Sequence, residues 1–327
     1  MNTLSPSDRR VDLESLFASL TASGLARRLI QLAREEDLGS EDGLGDITSR
    51  VCIEASTEGQ ATIVARQAGV IAGMRVVPMV LQAFAPTTAF QGRAADGHRA
   101  DKGQILGILQ GPVRELLAAE RTLLNFVGRL SGIATLTSKF VETVADASKV
   151  AGLKQVPKVL DTRKTTPGMR ILEKYAVACG GGTCHRVGLF DAVLIKDNHL
   201  AGVSVEELAA FVTAAATRAR ALAAESRLNS GNALVFVEAE VDSLDQLTAI
   251  LNAGGCNLDV VLLDNMTLDE LREAVRLRDA SKMNVELEAS GGVSLATVGS
   301  IASTGVDRIS VGQLTHSAVC LDVALDM

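Results

Sequence analysis

The sequence predicts an α/β protein in two parts, a small N-terminal α+β domain followed by an α/β barrel. Three observations carry this reading. The chain has 327 residues, more than one hydrophobic core usually supports, so a large domain with a companion is the expected division. From about residue 158 onward, short apolar runs rich in β-branched residues alternate with longer helical patterns, the signature of βα units on a parallel sheet. Finally, Asp161, Lys196, Glu240, Asp264 and Ser290 each stand at, or one residue past, the C-terminal end of an expected strand. In a barrel that end is the catalytic face, because the βα loops converge there. An open doubly wound sheet also binds ligands at its carboxyl ends and remains the alternative.

In chain order, residues 1 to about 150 predict an amphipathic helix near Gly24–Glu36 and strands around Gln60–Ile71 and Gln104–Leu109. A long helix from Pro112 to about Ala147, with Gly128 and Gly132 inside it, then links the two parts. The expected barrel strands are Lys158–Asp161, Ala192–Lys196, Leu234–Glu240, Asp259–Asp264, Val285–Ala289 and Asp307–Val311. Each is mostly apolar, as a strand covered on both faces must be. The intervening helices are announced by capping boxes at Ser204 with Glu207, Ser243 with Gln246 and Thr267 with Glu270, while Gly254 and Gly305 are placed to end two of them. The domains are therefore expected at 1–150 and 151–327, with the C-terminal tail able to pack back on the first. Neither an internal repeat nor a low-complexity segment interrupts them.

Composition narrows the function classes. Hydrophobic residues make up 47% and charged residues 22%, the balance of a soluble globular protein. The long uncharged stretch from Val76 to Gly92 is broken by Pro78, Gln82, Pro86, Thr87 and Thr88 and cannot span a bilayer. No apolar run follows the charges of the first twelve residues, so a secretory signal is not expected and cytoplasmic residence is. Five cysteines (52, 179, 184, 256 and 320) form no CxxC pair and read as reduced thiols. The net charge of −7 argues against a general nucleic-acid binder. Yet residues 158 to 199 carry seven Lys/Arg against four Asp/Glu, a local +3 that suggests a pocket for small anions.

Four segments carry chemistry. Leu160 to Gly168, LDTRKTTPG, places Arg163 and Lys164 at a strand end, where adjacent cations suit a dicarboxylate or a phosphate; a solvated charged loop is the plain alternative. Gly180 to His199, GGGTCHRVGLFDAVLIKDNH, combines a glycine triplet that lets backbone approach a ligand with His185, Arg186 and Lys196. Lys196 at a buried strand end could also serve as a Schiff-base lysine. Glu240 and Asp264 end successive strands and suit Mg²⁺ or ribose hydroxyls, or simply cap the next helix. EASGGV and ISVGQLTHS are glycine turns after the last two strands, where barrels hold a phosphate on exposed N–H groups; a tight turn is the alternative.

Taken together, AERTLLNFVGRLSGIAT, LDTRKTTPGMRILEKYAV, GGGTCHRVGLFDAVLIKDNH, VVLLDN, EASGGV and ISVGQLTHS closely resemble quinolinate phosphoribosyltransferases, over roughly residues 24 to 318. The resemblance implies an N-terminal α/β sandwich and an incomplete α/β barrel of the type II phosphoribosyltransferase kind, working as a homodimer in de novo NAD synthesis. It implies that Thr162, Arg163, Lys164, His185 and Arg186 surround quinolinate, that Lys196 bridges toward phosphoribosyl diphosphate, and that Glu240 and Asp264 face the ribose and Mg²⁺, partly through substrate. Ser290, Gly291, Gly292 and Gly312 would hold the 5′-phosphate. Catalysis would fall to Lys164, Lys196, Glu240 and Asp264. Arg121, in AERTLLNF, matches an arginine contributed from the partner subunit. Glu238 is the other candidate for the place of Glu240, which is preferred because it directly precedes the Val-Asp-Ser-Leu helix start.

Overall fold

The computed structural model describes residues 12–40, 43–230 and 235–327, with side chains of 226–230 left aside. The first eleven residues and the expected strand start at Leu234 lie outside that range. The chain forms two compact units, one of 1–138, 165–182 and 314–327 and the other of 139–164 and 183–313, so no single cut at residue 150 divides it.

The first unit contains α1 (Leu13–Thr21), α2 (Leu25–Leu38), α3 (Ile47–Cys52), β1 (Glu58–Ala65), β2 (Gly69–Val70), α4 (Val77–Phe84), β3 (Ala89–Gly92), β4 (Arg99–Ala100) and β5 (Ile105–Pro112). It also holds most of the long helix α5 (Val113–Val150). Its main sheet is antiparallel, in the order β12-β1-β5-β3, where β12 is the C-terminal strand Val323–Asp326. The tail thus returns to the N-terminal sheet. Its route explains two glycines inside α5. A Cβ on Gly132 would meet the Val319 carbonyl oxygen at 2.1 Å, and the Gly128 carbonyl accepts the Leu321 N–H at 2.9 Å. Each glycine costs a helix about 1 kcal/mol relative to alanine, and here each is required by a strand of backbone crossing the helix at contact distance.

In the second unit β6 (Lys158–Leu160), β7 (Val193–Ile195), β8 (Val237–Val241), β9 (Val260–Asp264), β10 (Glu286–Ser290) and β11 (Arg308–Ser310) form one six-stranded sheet, ordered β6-β11-β10-β9-β8-β7. Every pairing is parallel. Strands β7 to β11 run in sequence without reversal, whereas a doubly wound sheet must switch direction, so the alternative fold is excluded. Strand β6 borders β11, at the end of the sheet away from β7, and only an isolated bridge from Leu160 to Thr183 continues past it. The result is an open, TIM-like barrel. Helix α6 (Arg170–Cys179), between β6 and β7 in sequence, belongs to the first unit, and residues 171–179 are all buried there, Glu173 and Lys174 included.

Helices α7 (Val205–Ser230), α8 (Leu244–Asn252), α9 (Leu268–Ser281) and α10 (Leu295–Ala302) follow strands β7 to β10. Two of the expected boxes form, with Glu207 accepting from the Ser204 N–H and hydroxyl and Thr267 with Glu270 closing a full box. At α8 Ser243 accepts from the Gln246 N–H, but the Gln246 side chain accepts the Asp242 N–H instead of that of Ser243. Gly254 and Gly305 follow α8 and α10 with φ of 80° and 91°. The short helix α11 (Gln313–His316) follows β11. No helix among the described residues is long and apolar enough to cross a membrane, and the cysteines form no disulfide.

Candidate functional site

At the C-terminal ends of the barrel strands, backbone geometry decides which side chains point outward. Buried Asp161, just past β6, accepts the His185 N–H at 2.8 Å. Thr162 Oγ accepts the Lys164 N–H at 3.0 Å, and the tight turn this makes leaves Arg163 and Lys164 exposed. Asp191 accepts the Val187 and Gly188 amides at 2.7 and 2.9 Å and folds the next loop back on itself. Arg186 is buried beside that loop, with one guanidinium nitrogen 3.4 Å from the Ala192 carbonyl. Burial first, and the neighbouring Arg163 cation second, hold the Arg186 guanidinium below its usual pKa. Two cations close enough to disfavour each other are an arrangement that an anion would relieve.

The opposite side of the rim is acidic. Lys196 Nζ is ion-paired with Glu240, itself nearly buried at the end of β8. Glu240, Asp264, Asp197 and Asp242 line a single cavity of about 240 Å³. Oxygen donors of this kind are what a hard divalent cation such as Mg²⁺ prefers, so the residues fit the metal that the sequence implies. Of the two glutamates in question, Glu240 is the one that lines this cavity, while Glu238 lies deeper and fully buried.

The loop after β10 locks onto the acidic edge. Asn265 donates to the Asp264 carboxylate at 2.7 Å, and its N–H reaches the Ser290 carbonyl at 2.9 Å. Gly291 lies over this residue with φ of 97°, and a Cβ there would meet Asn265 Oδ1 at 2.1 Å. Beside it, a Cβ on Gly292 would point into open space. Gly312, half-buried, follows β11, where the Val311 N–H bonds the Leu160 carbonyl. Gly291→Ala is expected to lower kcat/KM about tenfold or more, since a left-handed non-glycine residue costs 1–2 kcal/mol before the clash with Asn265 moves Asp264. Steady-state kinetics would check it, and unchanged kinetics would detach this loop from the site.

Behind the cationic side lies a group that sequence reasoning missed. The His185 Nε2 faces Glu238 at 3.1 Å and Glu288 at 3.5 Å, both fully buried, and Arg308 Nε holds Glu288 at 2.7 Å. Burial opposes a charged ring, but bonds to the two glutamates outweigh it and pull the His185 pKa up to about 9. The Arg186 amide, 2.8 Å from Nδ1, points the other way, because it requires a lone pair there. The ring is thus drawn toward the charged form by Glu238 and Glu288 and toward a lone pair on Nδ1 by the Arg186 N–H. Burial and then Glu288 push the Glu238 carboxyl upward, whereas His185 and Arg308 hold Glu288 low against its burial.

A usable signal existed: strand side chains on one face recur every second residue, so Glu238 lies beneath Glu240, Glu288 beneath Ser290, and Arg308 beneath Ser310 and Gly312. Two expected features fall elsewhere. The glycine triplet serves packing, because a Cβ on Gly180 would meet the Ala134 carbonyl oxygen at 2.4 Å and one on Gly182 would meet Val177 at 2.7 Å. Of the seven local cations, Lys158 is bonded to Glu286 and Lys174 is fully buried in α6. Arg121, in the first unit, extends from α5 with 72% of its side chain exposed and Glu120 4.0 Å away.

Residues 46–131 match the N-terminal domain, and residues 133–326 the C-terminal domain, of the quinolinate phosphoribosyl transferase family. The chain belongs to that family. It is 42% identical over 304 residues to the nicotinate-nucleotide pyrophosphorylase [carboxylating] of Mycobacterium leprae, covering 92% of this chain and 97% of the relative. It is 37% identical to quinolinate phosphoribosyltransferase [decarboxylating] 1 of Nicotiana glauca, over 91% and 81% of the two chains. The solved nicotinate-nucleotide pyrophosphorylase of Francisella tularensis superposes with a TM-score of 0.75 at 34% identity, over 93% of this chain and 96% of that one. Within this family, the pairing of Lys196 with Glu240 removes the Schiff-base reading of Lys196, since an ammonium held against a carboxylate is a poor nucleophile.

Proposed function

We infer that the chain transfers phosphoribosyl from phosphoribosyl diphosphate to quinolinate with decarboxylation, giving nicotinate mononucleotide, pyrophosphate and CO₂ for NAD synthesis. The observation that carries this is the rim's division: Arg163, Lys164 and Arg186 on one side, the carboxylate-lined cavity on the other. Quinolinate carries two carboxylates, and three clustered cations suit it better than they suit a monocarboxylate such as nicotinate. The pyridine nitrogen then attacks the anomeric carbon as the C–O bond to pyrophosphate breaks, with the electron pair leaving on pyrophosphate. Glu240 and Asp264 place negative charge beside the cationic ribose that develops. Once the nitrogen is alkylated, the ring stabilises the electron pair released when the 2-carboxylate departs as CO₂, and that carbon takes up a proton. No protein base is needed.

Glu240 and Asp264 would hold Mg²⁺, which when bound offsets the charge of the diphosphate. Ser290, Gly291, Gly292 and Gly312 would seat the 5′-phosphate on backbone amides. Thr162 sets the turn that presents Arg163 and Lys164. Exposed Arg121 suits a role in a partner's site, so the working form is a homodimer, with no nucleic acid or membrane involved, and a cytoplasmic location fits. A CO₂-release assay with quinolinate, phosphoribosyl diphosphate and Mg²⁺ tests the reading, and absence of release under these conditions would refute it. In the same assay Lys164→Ala should lower kcat/KM about a hundredfold, because a cation facing a carboxylate in a closed site is worth roughly 2–5 kcal/mol. A change under about threefold, well below one kcal/mol, would assign Lys164 to solvent.

A further inference from the structure

His185 is held on every side. Its N–H is taken by Asp161 at 2.8 Å, its ring packs edge-on to Phe236 with centroids 5.0 Å apart, and Nε2 faces Glu238 and Glu288. Both Glu238 oxygens are buried without a hydrogen-bond partner among the described residues, and Oε2 has the His185 Nε2 within ion-pair distance. Glu288 is braced in turn by Arg308, whose second nitrogen binds Glu286 at 3.1 Å and whose guanidinium lies 5.3 Å from the Phe236 ring centre. The far ring nitrogen accepts the Arg186 amide at 2.8 Å. Both ring nitrogens therefore face protein groups, and what the ring governs is the backbone that carries Arg186.

We propose that Glu238, backed by Glu288 and Arg308, is a positioning residue for quinolinate: it fixes the His185 ring so that Nδ1 seats the Arg186 amide and Arg186 meets the substrate carboxylate. The proposal rests on the quinolinate reading given above. It differs from a direct role for His185, because the ring acts through its neighbour, and it gives Glu238 a task distinct from that of Glu240 two residues on. What Glu238 supplies is a hydrogen-bond acceptor for Nε2–H in a dry interior, where an unmatched donor is costly.

The test is a set of variants assayed for both substrates separately. Glu238→Leu is expected to raise KM for quinolinate about tenfold or more, the effect of stranding one buried donor, with KM for phosphoribosyl diphosphate changed less than twofold. Glu238→Gln keeps an acceptor and should recover most of the quinolinate affinity. His185→Phe alone should reproduce the split, and in that background Glu238→Leu should add less than a further twofold, since the two act as one unit. Should Glu238→Leu fail to fold, His185→Phe and Glu238→Gln still decide the matter. Equal effects on both substrates, a Gln variant as impaired as Leu, or additive effects in the His185→Phe background would each overturn the proposal. Failure of the parent protein to turn over quinolinate at all would instead overturn the functional reading.

Discussion

Excess EDTA should reduce turnover about a thousandfold or more, and Mg²⁺ added beyond the chelator should restore it. The reason lies in the charges of the cavity. Glu240, Asp264, Asp197 and Asp242 line it together, and the substrate that must sit against them is a polyanion carrying a diphosphate. Among the described residues, the cation paired with that group, Lys196, is already committed to Glu240. Arg163, Lys164 and Arg186 lie at other strand ends, after β6 and before β7, and are assigned to quinolinate in the proposed function. Without a divalent cation, carboxylate and diphosphate repel each other in a partly enclosed space, where screening by water is weak. Three orders of magnitude correspond to about 4 kcal/mol, within the several kcal/mol that a bound cation supplies to charge stabilisation. A second readout follows: phosphoribosyl diphosphate should raise the melting temperature clearly with Mg²⁺ present and little in EDTA. Full turnover in excess EDTA would show that the carboxylates meet only ribose hydroxyls.

The barrel was legible because a parallel strand covered on both faces must be almost wholly apolar, so β8, β9 and β10 stand out, and the polar residues that end them stand out against them. Capping residues located the helices for the same local reason: Thr267 and Glu270 need only each other and the backbone between them. What was not legible is non-local. Nothing near Gly132 announces that residues 319–321 cross its helix, and the glycine triplet at 180–182 looks like a ligand loop until α5 is seen against it. Helix α6 joins the first unit although its neighbours in sequence are barrel strands. The buried group around His185 was hidden differently. In the sequence Glu238 stands only as the alternative to Glu240 and Glu288 only as the start of EASGGV, and the pairing of β10 with β11, which sets Glu288 beside Arg308, is what turns them into one network.

Two inactive proteins, Arg121→Ala and Lys164→Ala, should regain activity when mixed. Arg121 extends from α5 in the first unit with most of its side chain in solvent, so its guanidinium is available to an anion from outside the chain. The resemblance to the family implies where that anion lies, in the site of a second subunit. If each site combines Lys164 of one chain with Arg121 of the other, a heterodimer of the two variants collects both lesions in one site and leaves its other site intact. Reversible dissociation and random pairing make roughly half of the dimers mixed, each with one good site of two, so recovery should approach about a quarter of the wild-type rate. The magnitude separates this from trivial explanations. Contaminating wild-type protein would not depend on the dissociation step, and allosteric repair has no reason to stop at a quarter. Were the mixture to stay inactive while mixed dimers were shown to form, by mass or by differently tagged chains, Arg121 would act within its own chain or merely support the fold, and the shared-site arrangement would be wrong for this protein.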